Sequence, residues 1–150
     1  MKAGVIVFPG SNCDHDVYEA VKITEGLTPQ YIWHRDRDLS GIDAVILPGG
    51  FTYGDYLRAG SIAGFSPVME EVCKFARRGG PVIGICNGFQ VLTEVRLLPG
   101  TLRTNVGLLF VCREVHLRIE NPNTIFTGGF AKGDVVTMPV AHRSGNYYAE

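Results

Sequence analysis

The segment that decides the fold is Val82-Ile83-Gly84-Ile85-Cys86-Asn87-Gly88-Phe89-Gln90. Its first residues are continuously apolar and rich in β-branched side chains, which is typical of a parallel strand covered on both faces. The residues after Gly88 continue in a helical pattern. Gly84 and Gly88 flank Cys86 at the spacing of an elbow that presents a nucleophile between a strand and a helix. The sequence therefore predicts a sharp corner with Cys86 at its apex.

This predicted corner would make Cys86 a nucleophilic thiol. The two glycines are needed because so tight a turn brings backbones together and holds the central residue in a strained conformation. The following helix N-terminus favours a thiolate, and the Asn87 N–H is placed to receive an oxyanion. The alternative is a buried cysteine at a strand end, where free cysteines often lie. The flanking glycines favour the nucleophile.

A second glycine corner, Gly49-Gly50, follows the apolar run at residues 44–47. Adjacent parallel strands deliver their C-terminal loops to one crevice, so we expect an N–H of this corner to face Cys86 and complete an oxyanion hole. The next segment, residues 52–60, is polar, aromatic and glycine-rich. Its composition suits a lid or docking surface and a long solvated connection equally.

Strand-like and helical patterns alternate along the first hundred residues. They predict an α/β fold, with an open, mostly parallel sheet and helices on both faces. After about residue 108 the pattern changes, and residues 114–120 alternate apolar and charged side chains. This alternation predicts an antiparallel extension, with residues 134–138 as the neighbouring strand. No linker interrupts the chain, so we assign residues 1–150 to one domain.

The composition excludes several kinds of partner. The chain carries 14 Lys and Arg against 15 Asp and Glu, a net charge of −1. Such a balance predicts neither nucleic acid nor a membrane surface as a partner. The N-terminal apolar run is too short for a signal peptide or a membrane span, so a cytoplasmic protein is expected. The four cysteines lack zinc-binding spacings, so no metal site is predicted.

Motifs along nearly the whole chain resemble the class I (triad) glutamine amidotransferases, whose sheet is flavodoxin-like. The Gly-x-Cys-x-Gly-x-Gln element is typical of that superfamily. Other motifs resemble, more narrowly, the glutaminase subunits of phosphoribosylformylglycinamidine synthase in purine biosynthesis. The segments that carry the resemblance are residues 8–14, 47–58, 84–90, 97–100 and 139–142.

The resemblance implies a reaction and a set of site residues. Cys86 would attack the side-chain amide of glutamine, release ammonia and form a glutamyl thioester that water hydrolyses. The N–H groups of Asn87 and of the Gly49-Gly50 corner would hold the oxyanion. Gln90, one helical turn after the nucleophile, would help to hold the amino acid end of glutamine, and Asn105 is a weaker candidate for that role.

The resemblance also implies partners. Ammonia would pass to an ATP-dependent synthetase subunit, in a complex that also contains a small accessory subunit. ATP and Mg²⁺ would belong to the synthetase, and this chain would need no cofactor of its own.

Two features depart from the family pattern. The family's catalytic histidine and glutamate lie in a Pro-His-Pro-Glu-Arg segment that this chain lacks. We therefore expect the domain to be incomplete at its C-terminal end and its glutamine hydrolysis to be weak, with His142 left by elimination as a candidate base. Arg96 stands where the family has glycine, and a left-handed helix end there would be strained.

Three alternatives remain open from the sequence. A peptidase-like or chaperone-like protein of the same superfold also carries a reactive elbow cysteine. A nucleotide-binding module would use glycine loops for phosphates, although neither common phosphate-binding glycine motif follows a strand here. A docking fragment would keep the fold without turnover.

Overall fold

Four parallel strands form the sheet of the first of two compact units. The computed structural model describes residues 1–150, with residues 1–102 and 147–150 in the first unit and residues 103–146 in the second. The strands are β1 (Lys2–Val7), β2 (Thr28–Trp33), β3 (Ala44–Leu47) and β4 (Val82–Gly84). They lie in the order β2-β1-β3-β4, and every neighbouring pair is parallel. The predicted parallel sheet is confirmed.

Helices cover both faces of this sheet, as predicted. They are α1 (Asp14–Ile23), α2 (Pro67–Arg77) and α3 (Asn87–Glu94), with short 3-10 helices at Thr52–Asp55 and Ala63–Phe65. Neighbouring strand residues point to opposite faces. Val5 therefore packs with Val17 and Val21 of α1, whereas Ile6 and Leu47 pack in the cluster that contains the apolar residues of α2 and α3.

The sequence predicts correctly where α1 and α2 begin, but it predicts the wrong hydrogen bonds for their capping side chains. Local sequence predicts Asp14 or Asn12 as the cap of α1, yet the residue at that position is Cys13, and no side chain caps the helix. The Asn12 side chain instead lies beside Gly50. The Ser66-Pro67 pair predicts Ser66 as the N-cap of α2; Ser66 does precede the helix, but its hydroxyl bonds the Tyr53 hydroxyl rather than the helix. In both cases the side chain that local sequence would assign to a helix cap contacts a residue of the segment after β3 instead.

Helix α3 ends in a Schellman motif whose left-handed residue is Arg96. The Arg96 N–H donates to the Thr93 carbonyl, and the Leu97 N–H donates to the Leu92 carbonyl. Arg96 has a φ of 59°. This position normally takes glycine, because a side chain there crowds the backbone. The expected strained helix end is therefore present.

We expect Arg96→Gly to stabilise the protein. The substitution relieves the left-handed strain, which is worth about 1 kcal/mol, although the greater freedom of glycine in the unfolded chain reduces the gain. Urea unfolding of the variant and the wild-type protein measures the difference. Arg77→Gly, at the last residue of α2, is the matched control, and it should destabilise the protein because glycine has a lower helix propensity than arginine. A less stable Arg96→Gly variant would contradict this account of the helix end.

The second unit contains the predicted antiparallel pair. Its strands β6 (Val111–Arg118) and β7 (Val135–His142) pair along their whole length, and they follow a short strand β5 (Thr101–Arg103) that begins in the first unit. A final strand β8 (Asn146–Tyr148) forms a further small sheet with β5. The assignment of residues 1–150 to one domain stays a prediction. No helix has the length and apolar character needed to cross a membrane.

Candidate active site

Three loops meet at the carboxyl edge of the parallel sheet. The loop after β1 reaches the loop after β3 through a bridge between Ser11 and Gly50, and the Cys13 N–H donates to the Gly49 carbonyl at 3.3 Å. The segment after β4 joins them through a bond from the Ile85 N–H to the Leu47 carbonyl. Carboxyl ends of adjacent parallel strands form a crevice where ligands commonly bind.

Cys86 lies at a strained and exposed corner of this crevice. Its backbone has a φ of 52° and a ψ of −107°, a conformation that residues other than glycine rarely adopt. A residue in such a region costs about 1–3 kcal/mol, and such residues cluster at functional sites. The thiol is exposed and precedes the first residue of α3. The predicted corner between strand and helix is present.

The two flanking glycines are required by the space around them. A Cβ built on Gly84 would lie 2.5 Å from the Gly88 backbone. A Cβ built on Gly88 would overlap the Leu47 carbonyl oxygen. The elbow therefore depends on both glycines, because α3 packs directly against the ends of β3 and β4 at these positions.

Gly49 and Gly50, the predicted second corner, lie beside the elbow. A Cβ on Gly49 would lie 3.5 Å from Cβ of Cys86 and 3.4 Å from Sγ of Cys13. Gly50 has a φ of 145°, and a Cβ there would meet the Asn12 backbone at 2.8 Å. The structure therefore brings Gly49 to Cys86 and Gly50 to the loop after β1, and the role of this corner in an oxyanion hole stays a prediction. Burial, and then the nearby Asp16 and Cys86, raise the pKa of the Cys13 thiol.

The Asn87 side chain is the centre of a buried hydrogen-bond network. It is 1% exposed. Its Oδ1 accepts the Thr52 N–H at 3.2 Å, and its Nδ2 donates to Oδ1 of Asp55 at 3.1 Å and to Oε1 of Gln90 at 2.8 Å. The sequence predicts only a backbone role for Asn87 and no role for Asp55. The available signal was the pair of amide side chains in the first turn of α3.

Side-chain contacts hold the segment at residues 52–60 against the rest of the first unit. Tyr53, Asp55 and Leu57 all have left-handed backbones, with φ of 54°, 54° and 70°. The Tyr53 hydroxyl bonds Nδ1 of His34 at 2.8 Å, and Arg58 pairs with Glu94 of α3. Residues other than glycine keep a left-handed backbone conformation only where surrounding contacts compensate for its strain.

Two ionisable groups of this network have shifted pKa values. Burial raises the pKa of the Asp55 carboxyl, although hydrogen bonds from Asn87 and from the Gly60 N–H act in the opposite direction. Burial, and then the charge of Arg35, lower the pKa of His34. His34 is therefore an uncharged imidazole at neutral pH, and it holds Tyr53 without introducing a charge.

Asn105, the weaker candidate for glutamine binding, belongs to the second unit. It is 8% exposed, and its amide donates to the Leu109 and His142 carbonyls at 2.9 and 3.0 Å. Its Oδ1 accepts the Gly145 N–H and contacts Nδ1 of His142. Asn105 therefore organises the loop that carries His142. Its binding of glutamine stays a prediction.

A cavity in the first unit is lined by residues other than those of the elbow. No group of three His, Cys, Asp or Glu side chains is placed to hold a metal ion. A cavity of about 540 Å³ has Arg37, Arg58, Glu70 and Glu94 in its lining, and Cys86 is not part of that lining. These charges pair with one another, Arg37 with Glu70 and Arg58 with Glu94.

Comparisons with known proteins agree with this geometry. The CobB/CobQ-like glutamine amidotransferase domain matches residues 1–150. The phosphoribosylformylglycinamidine synthase subunit PurQ of Chlorobaculum parvum is 58% identical over 149 residues, which are 99% of this chain and 59% of that protein. The same subunit of Rubrobacter xylanophilus is 58% identical over 150 residues, the whole of this chain and 68% of that protein.

Solved structures show the same fold. The structure of PurLQS from Thermotoga maritima contains a chain that is 45% identical, with a TM-score of 0.94 over 99% of this chain and 69% of that one. A putative GMP synthase subunit from Thermoplasma acidophilum, 18% identical with a TM-score of 0.61, shares the fold. The chain thus spans about three fifths to two thirds of the PurQ relatives described above. It belongs to the CobB/CobQ-like glutamine amidotransferase domain family.

Proposed function

We propose that this chain carries the nucleophile of a glutamine amidotransferase, the glutaminase subunit of phosphoribosylformylglycinamidine synthase in purine biosynthesis. The observation that carries the proposal is the exposed Cys86 in a left-handed conformation between two glycines that nothing larger could replace. The similarity to PurQ subunits supports the choice of family member. Membership of the amidotransferase family favours this function over a peptidase-like or chaperone-like protein.

The proposed reaction begins with attack of the Cys86 sulfur on the side-chain amide carbon of glutamine. The negative charge on the amide oxygen is stabilised by N–H groups of Asn87 and of the Gly49-Gly50 corner, an arrangement typical of acyl transfer. The carbon–nitrogen bond then breaks, and the thiol proton leaves with the nitrogen as ammonia. Water hydrolyses the resulting thioester to glutamate and restores the thiol.

The substrate's amino acid end is assigned to Gln90, with Asn105 as the weaker candidate. Gln90 lies one turn after Cys86 on the same side of α3, and its N–H donates to the Cys86 carbonyl at 3.2 Å. A glutamine held through its amino and carboxylate groups would present its side-chain amide to the thiol. Precise placement of this kind is a large part of enzymatic rate enhancement.

Proton transfer is the weak part of the reaction in this chain. The hydrogen bonds of the four histidine rings are made to Tyr31, Tyr53, Thr137 and Asn105, and none of these bonds involves the Cys86 thiol. Without a histidine that removes the thiol proton and returns it to the leaving nitrogen, turnover should be slow. We therefore propose that the chain captures glutamine analogues much better than it hydrolyses glutamine.

Ammonia released at Cys86 would pass to an ATP-dependent synthetase subunit, in a cytoplasmic complex with a small accessory subunit. The PurLQS assembly of Thermotoga maritima, which contains a chain similar to this one, supports this set of partners. ATP and Mg²⁺ are assigned to the synthetase, and no cofactor is assigned to this chain.

The test is covalent labelling with the diazoketone analogue of L-glutamine. We expect one label per chain, located on Cys86 by peptide mass spectrometry, with labelling slowed about tenfold or more by saturating L-glutamine. Glutamine hydrolysis by the same preparation should remain far below that of a complete amidotransferase. Equal labelling of Cys73, or labelling that glutamine does not slow, would contradict the proposal.

A further inference from the structure

Two cysteine side chains lie against the same glycine at the carboxyl edge of the parallel sheet. Cys13 precedes α1, and Cys86 precedes α3. The three atoms nearest to a Cβ built on Gly49 all belong to these cysteines: Sγ of Cys13 at 3.4 Å, Cβ of Cys86 at 3.5 Å and Cβ of Cys13 at 3.7 Å. The absent side chain of Gly49 therefore leaves a gap that the two cysteines line. The mechanism above uses Cys86 and leaves Cys13 without a role.

Backbone hydrogen bonds hold both cysteines beside this gap. The Cys13 N–H donates to the Gly49 carbonyl at 3.3 Å, and the Ile85 N–H donates to the Leu47 carbonyl at 2.9 Å, which fixes the residue before Cys86. Because both cysteine Cβ atoms lie close to one point, they are no more than about 7 Å apart, and a disulfide brings such atoms to about 3.5–4.5 Å. The gap at Gly49 is the space into which the two side chains can close.

The surroundings of the two thiols assign them different roles. Cys86 is exposed, so a small oxidant in solution reaches it first. Cys13 is half-buried, and burial, followed by the charges of Asp16 and Cys86, raises the pKa of its thiol. The Cys13 sulfur has a weak polar contact with Oδ1 of Asn12 at 3.8 Å, which does not fix it strongly in place. An exposed thiol beside a second, protected thiol is the arrangement of an oxidisable cysteine and its resolving partner.

We propose that Cys13 and Cys86 are a redox-active pair, in which hydrogen peroxide converts the two thiols into an intramolecular disulfide. The Cys86 sulfur attacks one peroxide oxygen, the O–O bond breaks, and the departing hydroxide takes the thiol proton and leaves as water. The Cys13 sulfur then attacks the resulting sulfenic acid, so that an S–S bond forms and the S–O bond breaks. The second hydroxide takes the Cys13 proton and also leaves as water. The two sulfurs together lose two electrons, which the peroxide gains.

Such a disulfide protects the sulfur of Cys86. A sulfenic acid that stays exposed is oxidised further to a sulfinic acid, which a dithiol does not reduce, whereas a disulfide is reduced to the original thiols. This chemistry goes beyond the proposed function and does not depend on it, because it requires only the two thiols and the peroxide. The inference and the proposed function can therefore fail separately.

The first experiment identifies the bond. The reduced protein is treated with hydrogen peroxide, its remaining thiols are blocked with iodoacetamide, and it is digested with trypsin without a reductant. The cysteines fall in four different tryptic peptides, residues 3–22 (Cys13), 59–74 (Cys73), 79–96 (Cys86) and 104–113 (Cys112). We expect peptides 3–22 and 79–96 to be joined in most chains, and these chains to migrate as monomers in non-reducing electrophoresis.

Cys13→Ser tests whether Cys13 resolves the oxidised sulfur. After peroxide and then dithiothreitol, the wild-type protein should regain most of its iodoacetamide labelling at Cys86. Cys13→Ser should regain at least about threefold less, because its Cys86 proceeds to the sulfinic acid. Cys73→Ser is the matched control, since it removes another half-buried thiol, and it should recover as the wild-type protein does.

Gly49→Ala tests the gap while both thiols remain. The added methyl group would contact the two cysteines at 3.4–3.7 Å, and Gly49 is not among the glycines with positive φ, so the variant should fold. Because the methyl group fills the space into which the side chains close, the disulfide yield should fall by about fivefold or more. Gly129→Ala adds a methyl group that meets no atom within 4 Å, and it should leave the yield unchanged.

Three results would overturn the inference. The first is a wild-type protein in which peroxide produces sulfinic or sulfonic acid at Cys86 without a link to peptide 3–22. The second is a link from Cys86 to Cys73 or Cys112, or a link found only between two chains. The third is equal recovery of labelling in Cys13→Ser and the wild-type protein. Labelling of the reduced protein by the glutamine analogue decides the proposed function whichever of these results is found.

Discussion

Replacement of Cys86 by serine should abolish covalent capture of the glutamine analogue, with a fall in labelling rate of about 10³-fold or more. A thiol supplies a few per cent of strongly nucleophilic thiolate at neutral pH without help, whereas a serine hydroxyl needs a base to remove its proton. The hydrogen bonds of the histidine rings are made to Tyr31, Tyr53, Thr137 and Asn105 and not to residue 86. The measurement is the labelling rate by mass spectrometry.

The neighbouring thiol provides the matched control. Cys13 approaches the same glycine as Cys86, and a Cβ on Gly49 would lie 3.4 Å from its sulfur. Burial raises the pKa of the Cys13 thiol, which keeps it protonated and poorly nucleophilic. Cys13→Ser should therefore label at a rate within about threefold of the wild-type rate. Loss of labelling in Cys13→Ser, with Cys86→Ser still reactive, would move the nucleophile to Cys13.

The second large effect is expected from Gly88→Ala. The added methyl group would overlap the Leu47 carbonyl oxygen, where both partners are backbone and neither can rotate aside. The start of α3 would have to move away from β3, which should destabilise the protein by about 3 kcal/mol or more. A urea unfolding curve measures this loss, and iodoacetamide labelling of Cys86 should change with it because the elbow is displaced.

Gly129→Ala is the control for this prediction. A Cβ on Gly129 meets no atom within 4 Å, and this glycine is not among those with positive φ. The same chemical change should therefore alter the unfolding free energy by less than about 0.5 kcal/mol. Stability equal to the wild-type value in Gly88→Ala would show that the helix start has room for a side chain, which would remove the physical reason for the glycine spacing.

These predictions share one cause, the close approach of α3 to the ends of the central strands. Gly84 and Gly88 permit that approach, and Cys86 is left at the exposed apex. The backbone strain at Cys86 is maintained by packing on both sides rather than by its own preference. Reactivity and stability are therefore coupled at this corner, and we expect substitutions of either glycine to affect both.

Local sequence was enough to predict the framework of the first unit. The apolar run of β1 is buried on both faces, and those of β3 and β4 are buried or half-buried; these runs can be read from consecutive residues without knowledge of their partners. The elbow at Cys86 could also be predicted, because it depends on a short backbone segment whose glycine pattern is visible in the sequence. The strained helix end at Arg96 was expected from the resemblance, because the family has glycine at that position.

Only the tertiary structure decided which side chains meet across loops. Asp55 and Asn87 are 32 positions apart, and neither belongs to a motif that names the other as a hydrogen-bond partner. The same holds for Ser66, which local rules assign to a helix cap and which bonds Tyr53 instead. The periodicity of apolar residues in a helix or strand indicates which side of that one segment is buried. A hydrogen bond between two segments depends instead on which residues the fold brings together. The sequence by itself therefore determined the sheet, the elbow and the position of Cys86, and the fold alone determined the network that surrounds them.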